Sequence, residues 1–260
     1  MKDSVSFDRA AEFYDRTRAL KPEVAEALTG ALLTELRKAG ADRLLEVGVG
    51  TGRISRPLMR AGIHVVGMDI STGMMGQLLR QLTAEHTRPD LLLGDATRMP
   101  FRDGAFKAAL AVHVLHLVAS MDDALAEIRR ILAPGGVLLH QTQTEAPPEA
   151  MRAHSAWWDE QLKRHGAAPI RRWWFADIGE KITASGANVE RVRVCNDVSR
   201  TTARDVVETT RKRINSWSWQ VPDELFPKLI DEYEAWFLGA YGEAEIVDES
   251  TFEIEVWRWE

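Results

Sequence analysis

The sequence predicts an α/β fold arranged around one glycine-rich loop. Residues 43–47 form a short, largely apolar run that is typical of a buried strand. Gly48, Gly50 and Gly52 follow, and because glycine has no Cβ they allow a sharp turn and a close approach to a ligand. Residues 54–59 then place apolar side chains at helical spacing, so the N-terminus of a helix points at the loop. This order of strand, glycine loop and helix predicts a nucleotide-binding site.

The glycine loop departs from two common nucleotide-binding motifs. A phosphate-binding loop would carry Lys-Ser or Lys-Thr after its glycines, whereas this chain has Arg53 and Ile54. The dinucleotide fingerprint would place glycine or alanine where Arg53 stands, which disfavours a nicotinamide dehydrogenase. Glu46, at the predicted strand end, would repel phosphates, whereas its carboxylate suits an amino group or a sulfonium cation.

Two further predicted strands also end in an acid. The second strand, residues 64–69, ends in Asp69, at the place where α/β nucleotide folds hold ribose hydroxyls with a carboxylate. Because Ser71 already supplies a helix cap, Asp69 is not needed for capping. Residues 91–93 form a third strand, and Asp95 follows it beside a glycine, where a turn residue is the alternative. Three acids at three strand ends predict one ligand-binding edge, with Glu46, Asp69 and Asp95 along a single rim.

These motifs resemble those of the class I S-adenosylmethionine-dependent methyltransferases, in the small-molecule type 11 group. The resemblance covers residues 42 to about 142 and, more loosely, both ends of the chain. Its motifs are the glycine loop at 46–52, Asp69-Ile70-Ser71 with Met74, Gly94-Asp95-Ala96 with Met99-Pro100-Phe101, and Leu132-Ala133-Pro134-Gly135-Gly136. Thr72 and Gly73 replace the proline and glutamate often found there, and glycine is unfavourable in a first helical turn.

The resemblance implies a doubly wound, Rossmann-like sheet of seven strands, mostly parallel with an antiparallel last strand, and a helical lid insertion. It divides the chain into an N-terminal helical lid (1–38), a cofactor-binding core (39–145), a helical substrate-covering insertion (146–187) and the remaining core strands with a helical insertion (188–260).

Apolar periodicity places the other elements. Helices are predicted at residues 7–18, 22–36, 122–132, 201–214 and 223–238, and strands at 106–112, 137–141, 189–195 and 251–259. Residues 133–136 are predicted to be a turn, and residues 215–219 a loop that joins two helices.

The resemblance implies S-adenosylmethionine as the cofactor and assigns a contact to each matching position. The implied cofactor-binding residues are Tyr14, Arg18, Glu46, Gly48, Gly50, Asp69, Ile70, Met74, Asp95, Ala96 and His113. Asp69 would hold the ribose, Asp95 the adenine amino group, and Met74 would lie against the adenine ring. Tyr14 can face a cation and Arg18 can hold a carboxylate, which suits the methionine moiety. The alternative for this N-terminal segment is simple packing on the body.

Catalysis and acceptor binding leave fewer signals. His113 follows the fourth strand and is a candidate base, because imidazole titrates near physiological pH, although helix packing is the alternative. His116 and His140 are candidate substrate contacts. Trp217 and Trp219 are substrate-pocket candidates, because two aromatic residues in a loop fit a core poorly. The other tryptophan pairs, at 157–158 and 173–174, are interpreted as subdomain core.

Composition limits the partners. A net charge of −6 and a pI near 5.7 argue against nucleic acid as the main partner. Cys195 is the single cysteine, so no intrachain disulfide or cysteine metal cluster is expected, and no metal site is predicted. No apolar run reaches membrane-spanning length and the first residues are not a secretion signal, so we expect a cytoplasmic protein without a membrane partner. A homodimer is left open.

The resemblance therefore implies transfer of a methyl group from S-adenosylmethionine to a small-molecule oxygen, nitrogen or carbon acceptor. Two alternatives remain at this point: a protein that binds the cofactor without transferring the methyl group, and a methyltransferase that acts on RNA or protein.

Overall fold

The computed structural model of the chain describes residues 4–82, 88–170, 175–242 and 244–259. Its strands are β1 (Arg43–Val47), β2 (His64–Asp69), β3 (Asp90–Leu93), β4 (Phe106–Val112), β5 (Leu132–Glu145), β6 (Ala187–Thr202) and β7 (Glu245–Trp259). Its helices are α1 (Tyr14–Arg18), α2 (Pro22–Lys38), α3 (Ser55–Arg60), α4 (Thr72–Gln81), α5 (Met121–Ile131), α6 (Glu149–Arg164), α7 (Phe175–Ala184), α8 (Ala203–Arg211) and α9 (Phe226–Tyr241). Short 3₁₀ helices cover Asp8–Ala10 and Ser216–Gln220.

The strands form one seven-stranded sheet in the order β3-β2-β1-β4-β5-β7-β6. β1 pairs in parallel with both β2 and β4, and β4 pairs in parallel with β5. The sheet is mostly parallel with antiparallel last strands, which confirms the predicted fold class. Because the strand order reverses between β1 and β4, a crevice opens there at the carboxyl edge, where such sheets bind ligands.

The central strands β1 and β4 are buried on both faces, as parallel strands covered by helices should be. Leu44, Leu45 and Val47 of β1 have no exposed surface, and the same is true of residues 108–111 in β4. Each fully buried leucine stabilises the fold by about 1.5–3 kcal/mol. The central strands thus form a rigid base for the loops at their carboxyl ends.

The start of β5 differs from the prediction. Residues 133–136, predicted as a turn before the strand, lie within the bounds of β5 as an irregular stretch. Phe106 pairs with Leu132 and Ala108 pairs with Val137. The four residues 133–136, between Leu132 and Val137, therefore bulge away from the register. The bulge requires glycine, because a Cβ on Gly136 would lie 2.8 Å from the carbonyl oxygen of Ala133.

The N-terminal segment also differs from the prediction. Residues 7–18 do not form one helix but a 3₁₀ turn at Asp8–Ala10 followed by α1. Helices this short gain little from their own hydrogen bonds. The carboxylates of Asp8 and Asp15 instead bond to residues far along the chain, so contacts with other segments decide the conformation.

The chain forms two compact units. The first comprises residues 1–143, 174–195 and 252–260, and the second comprises residues 144–173 and 196–251. The predicted insertion at 146–187 is therefore divided between the two units, and the lid and substrate-covering roles stay predictions. Residues 171–174, which include Trp173 and Trp174, lie outside the described part of the chain.

The second unit has an aromatic core of its own. The ring of Trp158 stacks on Phe226 with centroids 5.6 Å apart, and Tyr233 and Phe237 are fully buried beside it. The interpretation of Trp157 and Trp158 as core residues agrees with this packing, since their rings are 5.2 Å apart. Within the described ranges, no helix is both long and apolar enough to cross a membrane.

Candidate active site

A cavity opens at the carboxyl edge of the sheet, with about 670 Å³ of empty space when the open solvent at its mouth is included. Nine predicted residues line it: Tyr14, Gly48, Gly50, Asp69, Ile70, Met74, Asp95, Ala96 and His113. The remaining wall is mostly apolar: Ser4, Val5, Phe7, Val47, Met68, Gly94, Val112, Val114, Leu117 and Val118. An apolar pocket with a few polar groups at fixed places suits an aromatic ligand that carries hydrogen-bonding groups.

The glycine loop has the backbone that its sequence predicts. Gly48, Gly50 and Gly52 all have positive φ, at 73°, 56° and 74°. A Cβ on Gly48 would also lie 2.5 Å from Val114, which lines the cavity. Glycine is therefore required here both for the conformation and for the space beside the ligand.

Asp69 joins the end of β2 to the glycine loop. Its Oδ2 accepts a hydrogen bond from the Gly50 amide at 2.8 Å, and its Oδ1 accepts one from the Ser71 amide at 2.8 Å. Burial raises the pKa of Asp69, and these backbone hydrogen bonds oppose the rise. Because each carboxylate oxygen has a second lone pair, Asp69 can still accept from two hydroxyl groups in the cavity.

Asp95 also lies in the wall, after β3. Its Oδ1 accepts from the amide and hydroxyl of Thr97, and its Oδ2 accepts from the Ser4 hydroxyl at 2.8 Å. Burial raises the pKa of Asp95, but these hydrogen bonds outweigh it, so the pKa lies below its ordinary value. Asp95 is therefore an ionised acceptor at neutral pH.

Glu46 does not lie on the rim with the other two acids. It is buried inside the central strand and is absent from the cavity wall, and its carboxyl accepts a hydrogen bond from Ser55 at the start of α3. Burial raises the pKa of Glu46 to about 8, so the group is mostly protonated at pH 7. The predicted three-acid rim is wrong for Glu46, because its side chain faces helix α3 and not the cavity at the strand end.

The N-terminal segment forms one side of the cavity. The Val5 amide donates to the carbonyl oxygen of Leu117 at 2.9 Å, and the ring of Phe7 meets that of Tyr14 at 5.9 Å. Arg18 is not part of the wall. Its backbone oxygen accepts a hydrogen bond from Arg53, and burial lowers the pKa of its guanidinium. Sequence reasoning missed Ser4, Val5 and Phe7 because nothing in their pattern marks a contact with residues so distant in the chain.

His113 lies in the wall with a φ of +52°, which is uncommon for any residue other than glycine. Burial, together with the nearby positive charge of Arg53 and with His116, lowers its pKa to about 3. The imidazole is therefore neutral at pH 7 and can accept a hydrogen bond, but a pKa this low makes it a weak base. Residues in such sparsely populated conformations concentrate at functional sites.

The other two predicted histidines lie away from the cavity wall. Burial lowers the pKa of His116 to about 4. His140 is buried in a polar network, with its Nδ1 3.2 Å from Glu255 Oε2, which also accepts from Trp257 Nε1 at 3.2 Å. The structure thus gives His140 a structural partner, and its predicted contact with the substrate stays a prediction.

Trp217 and Trp219 are part of the second unit and do not line the cavity. They lie in the 3₁₀ helix Ser216–Gln220 and not in an open loop. The Trp217 ring packs 5.4 Å from that of Trp158, and Trp219 Nε1 donates to a backbone oxygen of Arg213 at 2.7 Å. Both side chains thus have structural partners, and the predicted aromatic substrate pocket stays a prediction.

No group of three or more His, Cys, Asp or Glu side chains is arranged to hold a metal ion in the part of the chain that the structure describes.

Comparison with known proteins identifies a family that part of the chain resembles. Residues 45–140 match the family described as a methyltransferase domain. This segment of the chain is therefore similar to a methyltransferase domain. The domain spans the glycine loop, Asp69, Asp95 and His113, whereas the N-terminal segment and the second unit lie outside it.

Curated proteins named as methyltransferases are similar to part of the chain. The chain is 32% identical over 160 residues to the malonyl-[acyl-carrier protein] O-methyltransferase of Serratia marcescens. This alignment covers 62% of this chain and 59% of that protein. It is 36% identical over 151 residues to the demethylmenaquinone methyltransferase of Beutenbergia cavernae, with 56% and 60% covered. The chain thus spans about three fifths of the length of these relatives.

The solved structures show the same fold at low sequence identity. A crystal structure of a protein from Bacillus halodurans C-125 aligns over 84% of this chain and 93% of its own, with a TM-score of 0.55 and 16% identity. This likeness extends beyond the methyltransferase domain and supports the seven-stranded architecture.

Proposed function

We propose that this protein binds S-adenosylmethionine in the cavity at the carboxyl edge of the sheet and transfers its methyl group to a small-molecule acceptor. The observation that carries the proposal is the meeting of Asp69, Asp95 and the glycine loop around one cavity in a methyltransferase domain. Each of these polar groups matches a different part of the cofactor.

The adenosine half fits the more polar part of the wall. Asp69 would accept from both ribose hydroxyls, which needs two acceptor oxygens in one side chain. Asp95 would accept from the adenine amino group, and the amide of Ala96 would serve the ring. Met74 is buried in the wall and offers a polarizable face for the adenine ring.

The methionine half would lie toward the glycine loop and His113. Tyr14 lines the cavity and can face the sulfonium cation, while Arg18 would hold the carboxylate from beside the loop. Since Glu46 is mostly protonated and bonded to Ser55, we propose that it supports the loop from within the sheet and does not contact the cofactor.

Methyl transfer is an in-line displacement in which the acceptor forms a bond to the methyl carbon as the carbon–sulfur bond breaks. The leaving group is a neutral thioether, so the reaction needs positioning more than acid catalysis. Holding donor and acceptor in line can lower the barrier by roughly 7–11 kcal/mol. Where the acceptor carries a proton, the neutral imidazole of His113 would accept a hydrogen bond from it, although its low pKa makes it a weak base.

The acceptor is proposed to be a small molecule with a reactive oxygen, nitrogen or carbon atom. Two relatives are named for reactions on malonyl-[acyl-carrier protein] and demethylmenaquinone. The net charge of −6 makes nucleic acid a poor partner. A cytoplasmic location and a possible homodimer belong to the same proposal.

Calorimetry with S-adenosylmethionine, S-adenosylhomocysteine and NAD tests the binding step. We expect both sulfur compounds to bind and NAD not to bind; an absence of binding by S-adenosylmethionine would overturn the proposal. A screen of small-molecule acceptors with a labelled methyl donor tests the transfer. Binding without any labelled product would instead favour a cofactor-binding protein that lacks transferase activity.

A further inference from the structure

Helix α4 begins in an unusual way for a helix beside the cofactor cavity. Gly73 stands in its first turn, where glycine costs about 1 kcal/mol relative to alanine. The first turn contains no acidic residue, although a negative charge there is favourable. By comparison, α5 carries Asp122 and Asp123 in its first turn.

The missing acid is supplied by the N-terminal segment. Asp8 Oδ1 accepts a hydrogen bond from the Gly73 amide at 2.7 Å and from the Ser71 hydroxyl at 2.6 Å. The Ser71 hydroxyl in turn accepts from the Met74 amide at 3.1 Å. One carboxylate oxygen therefore satisfies the first turn of α4 both directly and through its buried cap residue.

Glycine at position 73 makes room for this carboxylate. A Cβ there would lie 2.8 Å from Asp8 Oδ1 and 3.3 Å from the Cβ of Ala11. Gly73 does not have a left-handed backbone, so conformation does not require glycine. Glycine is required at position 73 because the N-terminal segment approaches it closely.

We propose that Asp8 is a positioning residue for the cofactor, and that Gly73 is the residue that allows it to act. This inference rests on the proposed function. Asp8 joins two parts of one cavity wall: Phe7 on the N-terminal segment, and Met74 on α4. Its contact with α4 holds the N-terminal wall closed over the site and fixes the start of the helix that carries Met74.

The charge of Asp8 is suited to this role. Hydrogen bonds from Ser71, Gly73 and Ser6 lower its pKa, so the carboxylate is ionised at neutral pH. A hydrogen bond with one charged partner is roughly twice as strong as a neutral one.

Two glycines on the same helix provide a matched test. Gly73→Ala and Gly76→Ala should both favour the helix, but a Cβ on Gly76 meets only Arg80, at 3.6 Å. For Gly73→Ala we expect an unchanged or raised Tm together with about tenfold weaker binding of S-adenosylhomocysteine, in line with the loss of a charge-assisted hydrogen bond. For Gly76→Ala we expect unchanged binding. If Gly73 had only a structural role, Gly73→Ala would lower the Tm and the affinity together, or change neither.

A double-mutant cycle identifies the partner. Asp8→Ala should weaken S-adenosylhomocysteine binding about tenfold, and adding Gly73→Ala should weaken it no further, because both changes break the same contact. Fully additive effects, or wild-type affinity in either single variant, would overturn the inference while leaving the proposed function intact.

A second measurement does not need the cofactor. Trypsin should cleave after the exposed Arg9 faster in Asp8→Ala and in Gly73→Ala than in the wild type or Gly76→Ala. Equal cleavage rates would overturn the inference. If the wild type binds neither S-adenosylmethionine nor S-adenosylhomocysteine, the proposed function fails, and faster cleavage in the two variants would still show the contact between Asp8 and α4.

Discussion

At the residue scale, Asp69 shows how one side chain can serve both the fold and the site. It bonds to the Gly50 and Ser71 amides and also lines the cavity. Sequence reasoning located Asp69 and Asp95 because the carboxyl ends of parallel strands meet at one edge. It placed Glu46 wrongly because an acid near a strand end can face either the crevice or a covering helix, and only the packing of Ser55 decides between them.

Removal of the Asp69 carboxylate is expected to abolish cofactor binding. In Asp69→Ala the ribose hydroxyls lose their acceptors, and the loop amide of Gly50 loses its partner, so affinity should fall at least about 100-fold. Calorimetry with S-adenosylhomocysteine measures the change. The control is Asp90→Ala, which removes an exposed acid at the start of β3 that contacts only His64 among the hydrogen bonds described. Equal affinity in wild type and Asp69→Ala would show that the ribose lies elsewhere.

The buried Glu46 should make stability depend on pH. Its pKa is about 8 in the folded protein and 4.5 in its ordinary state, so the folded chain binds the extra proton between these values. The free energy of unfolding should therefore fall as pH rises from 4.5 to 8, at up to about 1.4 kcal/mol per pH unit. The low pKa of His113 acts in the opposite sense below its ordinary value of 6.5, which leaves pH 6.5–8 as the clearest window.

Glu46→Gln should flatten this dependence, because the amide cannot titrate. Thermal unfolding of both proteins from pH 5 to 9 measures this dependence. As pH rises, the free energy of unfolding of Glu46→Gln should increase relative to that of the wild type. A constant difference across the range would mean that Glu46 is charged in the folded protein.

At the scale of elements, the sequence predicted strands best where both faces are buried. β1, β2 and β4 follow apolar runs, and their bounds agree closely with the prediction. β6 and β7 extend beyond their predicted ranges, because their additional residues alternate with exposed positions and carry a weaker pattern. The single helix predicted for residues 7–18 was wrong for another reason. Its conformation depends on contacts of Asp8 and Asp15 with residues more than 35 positions away, and no local pattern reports these.

The bulge in β5 gives a prediction at this scale. In Gly136→Ala the new Cβ meets backbone atoms of Ala133 and Lys107, which cannot move without breaking the register, so we expect about 2 kcal/mol of destabilisation. Urea unfolding measures it. Gly30→Ala in α2 is the control: nothing lies within 4 Å of its new Cβ, so helix propensity should stabilise that variant by up to about 1 kcal/mol. If Gly136→Ala is as stable as the wild type, the strand tolerates a side chain there and the glycine is not required.

At the scale of the whole molecule, the order of motifs along the chain was enough to predict the fold class. A parallel sheet brings the ends of successive strands together whatever the lengths of the connections between them, so correct strands almost fix the edge at which a ligand binds. The second unit could not be interpreted in the same way. Its tryptophans are equally compatible with a core and with a pocket in the sequence, and only the ring contacts of Trp158 and Trp217 favour the core.

Hydrogen exchange with and without S-adenosylhomocysteine tests this assignment across the molecule. A ligand present at 100 times its Kd stabilises the folded state by about 2.7 kcal/mol, and the largest local change should occur where it binds. We expect slower exchange in the segments that line the cavity: 48–52, 69–74, 94–97 and 112–118. Residues 216–220 of the second unit serve as the internal control, with unchanged exchange, because Trp217 and Trp219 have their partners without the ligand. Protection centred on 216–220, with none at the glycine loop, would place the cofactor in the second unit and overturn the assignment of Asp69 and Asp95.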